Sequence, residues 1–220
     1  MSTELDPAHW ATLAPEPEFS ITGAAHTAFA AAPTMVFTAA VTDPSGHEIQ
    51  SIALTAQVMI DPARRGYDPA TRARLAELFG PPASWAPSTS GLSWARVSAT
   101  VPTFSGSTMF AIEVPCTYDL EVAAAKYFYA VHDGEVPLSF HFNGNVFFHG
   151  PAKLQVIPVP WSSTAKYRMP VSAWRAMMAE HYPGGGWIRL SDETLAALNE
   201  RRAARGLPSF DACIQELLDA

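Results

Sequence analysis

The sequence predicts an α+β fold, mainly antiparallel sheet arranged as a sandwich, with one inserted helix and a C-terminal helical region packed on it. Three observations carry this. Strand-like alternation dominates up to about residue 168, the apolar period turns helical from Met169 onward, and no internal repeat intervenes. The division that follows is a polar N-terminal arm over 1–18, a β-rich core over 19–168 and a helical region over 169–220 belonging to the same cooperative unit.

Taken in order, the arm is acidic and carries Pro7, Pro15 and Pro17. Phe19–Ile21 opens a first strand, and the alanine-rich AAHTAFAAAP that follows has no clean period. Thr34–Val41 reads as a strand, and Asp43-Pro44-Ser45-Gly46 as a turn, because proline presets φ and glycine takes positive φ. Ile52, Leu54, Ala56, Val58 and Ile60 then share one face of a long strand. Asp68-Pro69 starts a helix with Leu75, Leu78 and Phe79 inward, and Gly80-Pro81-Pro82 stops it. After a Pro/Ser-rich loop, Trp94–Phe104 and Thr108–Val114 are strands joined by Ser105-Gly106-Ser107.

The densest stretch is Glu113–Gly150. Leu120, Ala124, Tyr127, Phe128 and Val131 make one helical stripe, with Thr117 or Asp119 as cap and Gly134 as a left-handed stop. Val136, Leu138, Phe140 and Phe142 alternate as a strand, and Asn143-Gly144 predicts a hairpin turn. Two registers stay open. A two-residue turn pairs Phe140 with Phe147, whereas a loop through Asn145 puts Val146 and Phe148 on the apolar face and His141 and His149 on one side. Leu154–Trp161 is a strand whose Pro158 and Pro160 suit an edge. Val171, Trp174, Met178 and His181 form a helical stripe ended by Pro183 and Gly184-Gly185-Gly186. Trp187–Leu190 is extended, Ser191 caps the next helix, Gly206 ends it, and Ser209 starts a last helix with Phe210, Ile214, Leu217 and Leu218 inward.

Composition narrows function. At 220 residues and 48% hydrophobic, the chain can bury a core without staples. Lys and Arg number 14 against 21 Asp and Glu, a net charge of −7 that argues against nucleic acid and anionic membrane surfaces. No apolar run approaches the roughly 20 residues of a membrane span, and the acidic N-terminus is no secretory signal, so a cytoplasmic location and no membrane insertion are expected. Cys116 and Cys213 are too few and too far apart for a metal knuckle and are read as buried thiols.

No catalytic, cofactor or metal constellation stands out. His132, His141 and His149 lack third-ligand spacing and are read as structural. Asp119 and Glu121 beside Lys126 read as an acidic helix start, and Asp119, His141 and His149 remain polar-site candidates only. Ser105-Gly106-Ser107 is no nucleophile elbow, and the glycine run lacks the lysine of a phosphate loop. Trp85, Trp94, Trp161, Trp174 and Trp187 could line a groove, but core packing accounts for buried tryptophans more often.

ALTAQVMIDPARRGYD, EVPCTYDLEVAAAKYFYAVHDGEVPLSFHFNGNVFF, VSAWRAMMAEHYPGGGWIRL and GLPSFDACIQELL together resemble DUF6084, an uncharacterised bacterial domain-of-unknown-function family often encoded in gene clusters for nickel–iron hydrogenases. The resemblance covers nearly all of residues 17–220. It implies an accessory, assembly or interaction role with a hydrogenase subunit or maturation factor as partner, and brings no catalytic residues or cofactor. Two readings follow: a non-catalytic interaction module, with Tyr182 and Trp187 as anchors, or a small-ligand binder or enzyme with a pocket between sheet and C-terminal helices. A flat apolar patch favours the first, and a deep polar cavity holding His141 or Asp119 the second.

Overall fold

The computed structural model describes residues 14–82, 85, 91–117, 119, 122–150, 153–184 and 188–220. The chain forms two compact units, Met1–Gly185 and Gly186–Ala220. In chain order the first holds β1 (Glu18–His26), β2 (Thr34–Thr42), β3 (Glu48–Ile60), a 3-10 turn (Pro62–Arg64), α1 (Pro69–Phe79), β4 (Leu92–Val101), β5 (Phe104–Ser105), β6 (Ser107–Pro115), α2 (Ala123–Ala130), β7 (Glu135–His149), β8 (Leu154–Pro158), β9 (Thr164–Pro170) and α3 (Val171–His181).

Two antiparallel sheets make the α+β core. One runs β1-β2-β6. The other runs β4-β3-β7-β8, with β5 on β3 and β9 on β7. Period-two alternation turns Met35, Phe37, Ala39 and Val41 of β2 toward Ile52, Leu54, Ala56 and Val58 of β3 and Phe140 and Phe142 of β7, all buried in one cluster. Phe37 is the hub. Its ring meets those of Trp94, Phe140 and Tyr167 edge-on, at 5.8, 5.0 and 6.2 Å. Trp94–Phe104 is therefore not one strand joined by a hairpin to Thr108–Val114. β4 and the short β5 belong to one sheet and β6 to the other, and the chain crosses between them at Gly106.

The turn expected at Asn143-Gly144 does not form, and both proposed registers fall with it. β7 runs unbroken for 15 residues, pairing Ala56 with Phe142, Leu54 with Gly144 and Ile52 with Val146 on β3. Gly144 is there because the backbones converge. A Cβ at this position would stand 1.9 Å from the Ala53 carbonyl oxygen, and φ is +148°. The hairpin lies further on, where Gly150 N–H donates to Lys153 O at 3.0 Å. Continuous alternation keeps Val136, Leu138, Phe140, Phe142, Val146 and Phe148 on the core face and puts His141 and His149 together on the exposed one.

β8 ends at Pro158 rather than Trp161, and β9, which the sequence reading did not assign, continues along the same edge of β7. Trp161 bulges out between them.

α2 is shorter than its stripe, starting at Ala123. Thr117 Oγ1 instead accepts from Asp119 N–H at 3.0 Å in the preceding turn, and Gly134 (φ +68°) turns the chain into β7. α2 packs on the core through Ala124, Tyr127 and Phe128, and α3 through Val171, Trp174, Met177 and Met178. Trp174 stacks on Phe128 at 5.3 Å. The buried Tyr127 hydroxyl is satisfied by Tyr67 at 2.8 Å, which reaches Pro62 O at 2.8 Å and ties the loop before α1 to α2.

The second unit contains α4 (Asp192–Arg205) and α5 (Phe210–Leu218). Its caps are those expected. Ser191 Oγ accepts from Thr194 N–H at 3.2 Å, Gly206 is left-handed at φ +65°, and Ser209 Oγ accepts from Ala212 N–H at 3.0 Å. The inward face of α5 differs. Cys213 is the buried residue, while Phe210, Leu217 and Leu218 are exposed. Arg201 and Arg205 hold Glu216 at 2.9 and 3.2 Å, and Cys213 Sγ faces Leu198 O, which fixes the face that α5 turns to α4.

Candidate functional site

β8 is an edge strand, and its hydrogen-bonding pattern follows from two bonds. Val159 N–H donates to Gly144 O at 2.9 Å and Gly150 N–H to Lys153 O at 3.0 Å. The odd-numbered residues of this strand therefore face β7, and Leu154, Val156 and Pro158 turn their backbone groups outward. Pro158 fits because its missing N–H falls on the open side. Leu154 and Val156 are 48% and 52% exposed, on the same outer face as the half-buried Phe147, and Trp161 is 94% exposed. From Gly150 to Ala179 the chain carries Lys153, Lys166, Arg168 and Arg175 and no Asp or Glu, a basic stretch in an acidic protein.

The expected polar residues are not brought together. His141 and His149 share a face but stand eight residues apart on one strand, roughly 26 Å at the usual rise. His149 Nε2 lies 2.7 Å from Gln50 Oε1. Asp119 is half-buried in the turn before α2 rather than on the helix, and Glu121 falls outside the described residues. Among the described residues no three His, Cys, Asp or Glu side chains gather as a metal site would require. Cys116 and Cys213 are free thiols, and burial pushes the Cys116 thiol up to about 12, away from nucleophilic use.

Of the two expected anchors, Trp187 lies outside the described residues. Tyr182 follows α3 and lines an open groove of about 320 Å³ with Tyr129, Trp174, Arg175 and Met178. Sequence reasoning missed Tyr129 and Arg175, and it grouped Trp161 with Trp85, Trp94 and Trp174, which pack in or against the core. Trp94 and Trp174 pack against Phe128, and Trp85 packs against Tyr67 and Phe79. The missed signal is the setting of Trp161 between Pro160 and Ser162-Ser163, where no apolar neighbour invites burial.

Three arginines surround the C-terminal end of α2. Arg74 Nε donates to Ala130 O at 2.8 Å, Arg175 Nη2 to Val131 O at 3.3 Å, and Arg65 Nη2 to Asp133 O at 3.2 Å, complementing the helix dipole. Partial desolvation, then the Arg74 and Arg175 guanidinium groups, push the His132 imidazole below its usual value. No helix among the described residues is long and apolar enough to cross a membrane.

Comparison with known proteins gives limited likenesses. No curated protein matches the chain. Among solved structures, a late embryogenesis abundant (LEA) protein is 17% identical over 74% of this chain and 76% of its own, with a TM-score of 0.34. β-Glucosidase 3B from Thermotoga neapolitana, in complex with α-D-glucose, is 9% identical over 70% of this chain and 17% of its own, TM-score 0.25. The β-glucosidase from Kluyveromyces marxianus in complex with glucose is 7% identical over 70% and 15%, TM-score 0.25. At these scores none of the three bears on activity. The family model of DUF6084, a family of unknown function, matches residues 14–220, and the chain belongs to that family.

Proposed function

We propose that the protein is a non-catalytic interaction module whose partner docks on the open edge of the larger sheet. The observation that carries this reading is the β8 edge, with outward backbone groups at Leu154 and Val156, both side chains half-exposed, and Trp161 beside them almost fully exposed. Native sheets cover or blunt such edges, and an exposed one is a template for an added strand. A patch of this kind answers the interaction reading, and none of the described cavities contains His141 or Asp119. Trp161 replaces Trp187 as the first anchor to test.

The partner proposed is a hydrogenase subunit or maturation factor in the cytoplasm, on the family resemblance. Stable recognition needs about 1,200–2,000 Å² of buried surface, so strand addition at five residues must be extended by contacts around Trp161. The test is affinity purification of the tagged chain from hydrogenase-expressing cells, beside Val156→Lys and Trp161→Ala variants and a deletion strain assayed for hydrogen uptake. Enrichment of a hydrogenase subunit or maturation factor that both variants lose is the expected result. If neither is enriched and uptake is unchanged by deletion, the hydrogenase partnership is wrong. If a partner is captured equally by wild type and both variants, the edge is not its docking site.

A further inference from the structure

The groove between α2 and α3 shares no residue with the β8 edge and has its own chemistry. Tyr129, Trp174, Met178 and Tyr182 give it largely aromatic and apolar walls, and Arg175 is its cation. Arg175 is half-buried and makes no ion pair among the described residues. Among the described residues its hydrogen bond is the 3.3 Å contact from Nη2 to Val131 O, and its buried Nε has no acceptor there. Guanidinium groups withdrawn from water are ordinarily paired with carboxylates. Neighbouring Arg74 shows the contrast, with Nε on Ala130 O at 2.8 Å and Nη2 on Thr71 Oγ1 at 2.9 Å.

Among the described residues no carboxylate pairs with this arginine. The sole acidic residue of α3 is Glu180, and it is engaged elsewhere, by His26 Nε2 at 2.7 Å and Phe29 N–H at 3.1 Å. Asp133, the acid nearest in sequence to Val131, is 88% exposed at its side chain and lies 3.7 Å from Arg65. Desolvation first, and then the Arg74 and Arg175 guanidinium groups, hold the neighbouring His132 imidazole below its usual value.

We propose that this groove binds a small organic carboxylate on a flat apolar body. The carboxylate engages the guanidinium of Arg175, and the body lies between Tyr129 and Tyr182 over Trp174. A single arginine suits a monoanion, since polyanions such as phosphate esters are held by several donors. A cationic ligand is excluded by the guanidinium, and a neutral one would leave it uncompensated. Cavities of this size, near the lower end of ligand pockets, orient a mostly apolar ligand by one or two polar contacts.

The experiment titrates 1-naphthoate and its uncharged isostere 1-naphthamide into the full chain by isothermal calorimetry, with tryptophan fluorescence in parallel. The expected result is saturable one-to-one binding of naphthoate, weakened by salt and roughly tenfold tighter than the amide, as loss of one charged hydrogen-bonding pair predicts. Arg175→Gln should bring naphthoate down to the amide's affinity, Arg175→Lys should restore part of the difference, and Tyr129→Ala should weaken both probes alike. Equal affinity for the two probes, no saturable binding of either, or unchanged naphthoate binding in Arg175→Gln overturns the proposal. Should Arg175→Gln lose its fold, the acid–amide comparison on the unaltered protein and the Tyr129→Ala variant still decide.

Discussion

Gly144→Ala tests the account of β7 at its sharpest point. The added methyl would stand 1.9 Å from Ala53 O, 3.0 Å from Ala53 C and 3.1 Å from Leu54 Cα, all backbone atoms of the central partner strand, which cannot yield as a side-chain tip can. The backbone must also keep φ +148°, a region almost closed to L-residues, at about 1–3 kcal/mol. Gly46→Ala is the control. Its φ is +78°, but nothing lies within 4 Å of the new methyl, so only the conformational cost of about 1–2 kcal/mol applies. Relief of the Gly144 clash requires β3 and β7 to separate locally, so the total cost should exceed about 3 kcal/mol, a fall of at least roughly 6–12 °C in Tm for a unit of this size. Thermal and urea unfolding of the two variants provide the comparison. A Gly144→Ala protein that melts with Gly46→Ala, or within a degree or two of wild type, would refute the close approach and with it the uninterrupted strand.

Further expectations follow from the core and its margins. Trp174→Ala, removing a 4% exposed ring stacked on Phe128, should cost about 3–5 kcal/mol, read as a lower urea midpoint at unchanged slope. A chain ending at Tyr167 lacks α3 and the end of β9 and should bind ANS without a sharp melting transition; removal of 186–220 alone should lower Tm if the terminal helices unfold with the sheets, and leave it unchanged if they do not. The side-chain and then the backbone hydrogen bond from Thr71 hold the Asp68 carboxyl down at about 2, against an ordinary 3.8. Because its folded value is the lower one, the stabilisation is complete above about pH 4 and is lost as pH falls toward 2. The Tm gap between wild type and Asp68→Ala should therefore close across that window, and a gap that is constant with pH would contradict it.

Local signals succeeded where local physics decides. The Asp68, Ser191 and Ser209 caps, the Gly206 stop and the inward face of β3 all formed as read, because a cap bonds its own next residues and a half-buried strand needs period two. Asn143-Gly144 misled because the same dipeptide serves a turn or a close approach, and the choice rests with Ala53, ninety positions earlier. β9 escaped notice because Ala165 is a weak apolar signal between Thr164 and Lys166, although Tyr167 and Met169 do complete the alternation. Of the candidate sites, the proline-rich edge was legible. The unsatisfied Arg175 was not, since it depends on Glu180 turning to His26, 154 residues away in sequence.

The β8 edge bears the guards by which sheets avoid pairing with their own copies, namely Lys153 at its start, Pro158 on the outward side and Pro160 just beyond. Two copies aligned edge to edge would bring like charges together and leave the Pro158 position without a donor. A partner strand bearing acidic residues removes the first obstacle, and one that ends short of Pro158 avoids the second. Selectivity for a foreign strand would then come from what the edge refuses as much as from what it offers. Replacing the guards therefore tests the edge itself. Lys153→Val with Pro158→Thr should leave Tm nearly unchanged, since Pro158 turns its backbone outward and Lys153 is exposed, yet raise self-association measured by size-exclusion chromatography with light scattering. If the double variant keeps the wild-type elution and mass at all concentrations, the outward groups of Leu154 and Val156 are not available for pairing, and the docking proposal loses its main support.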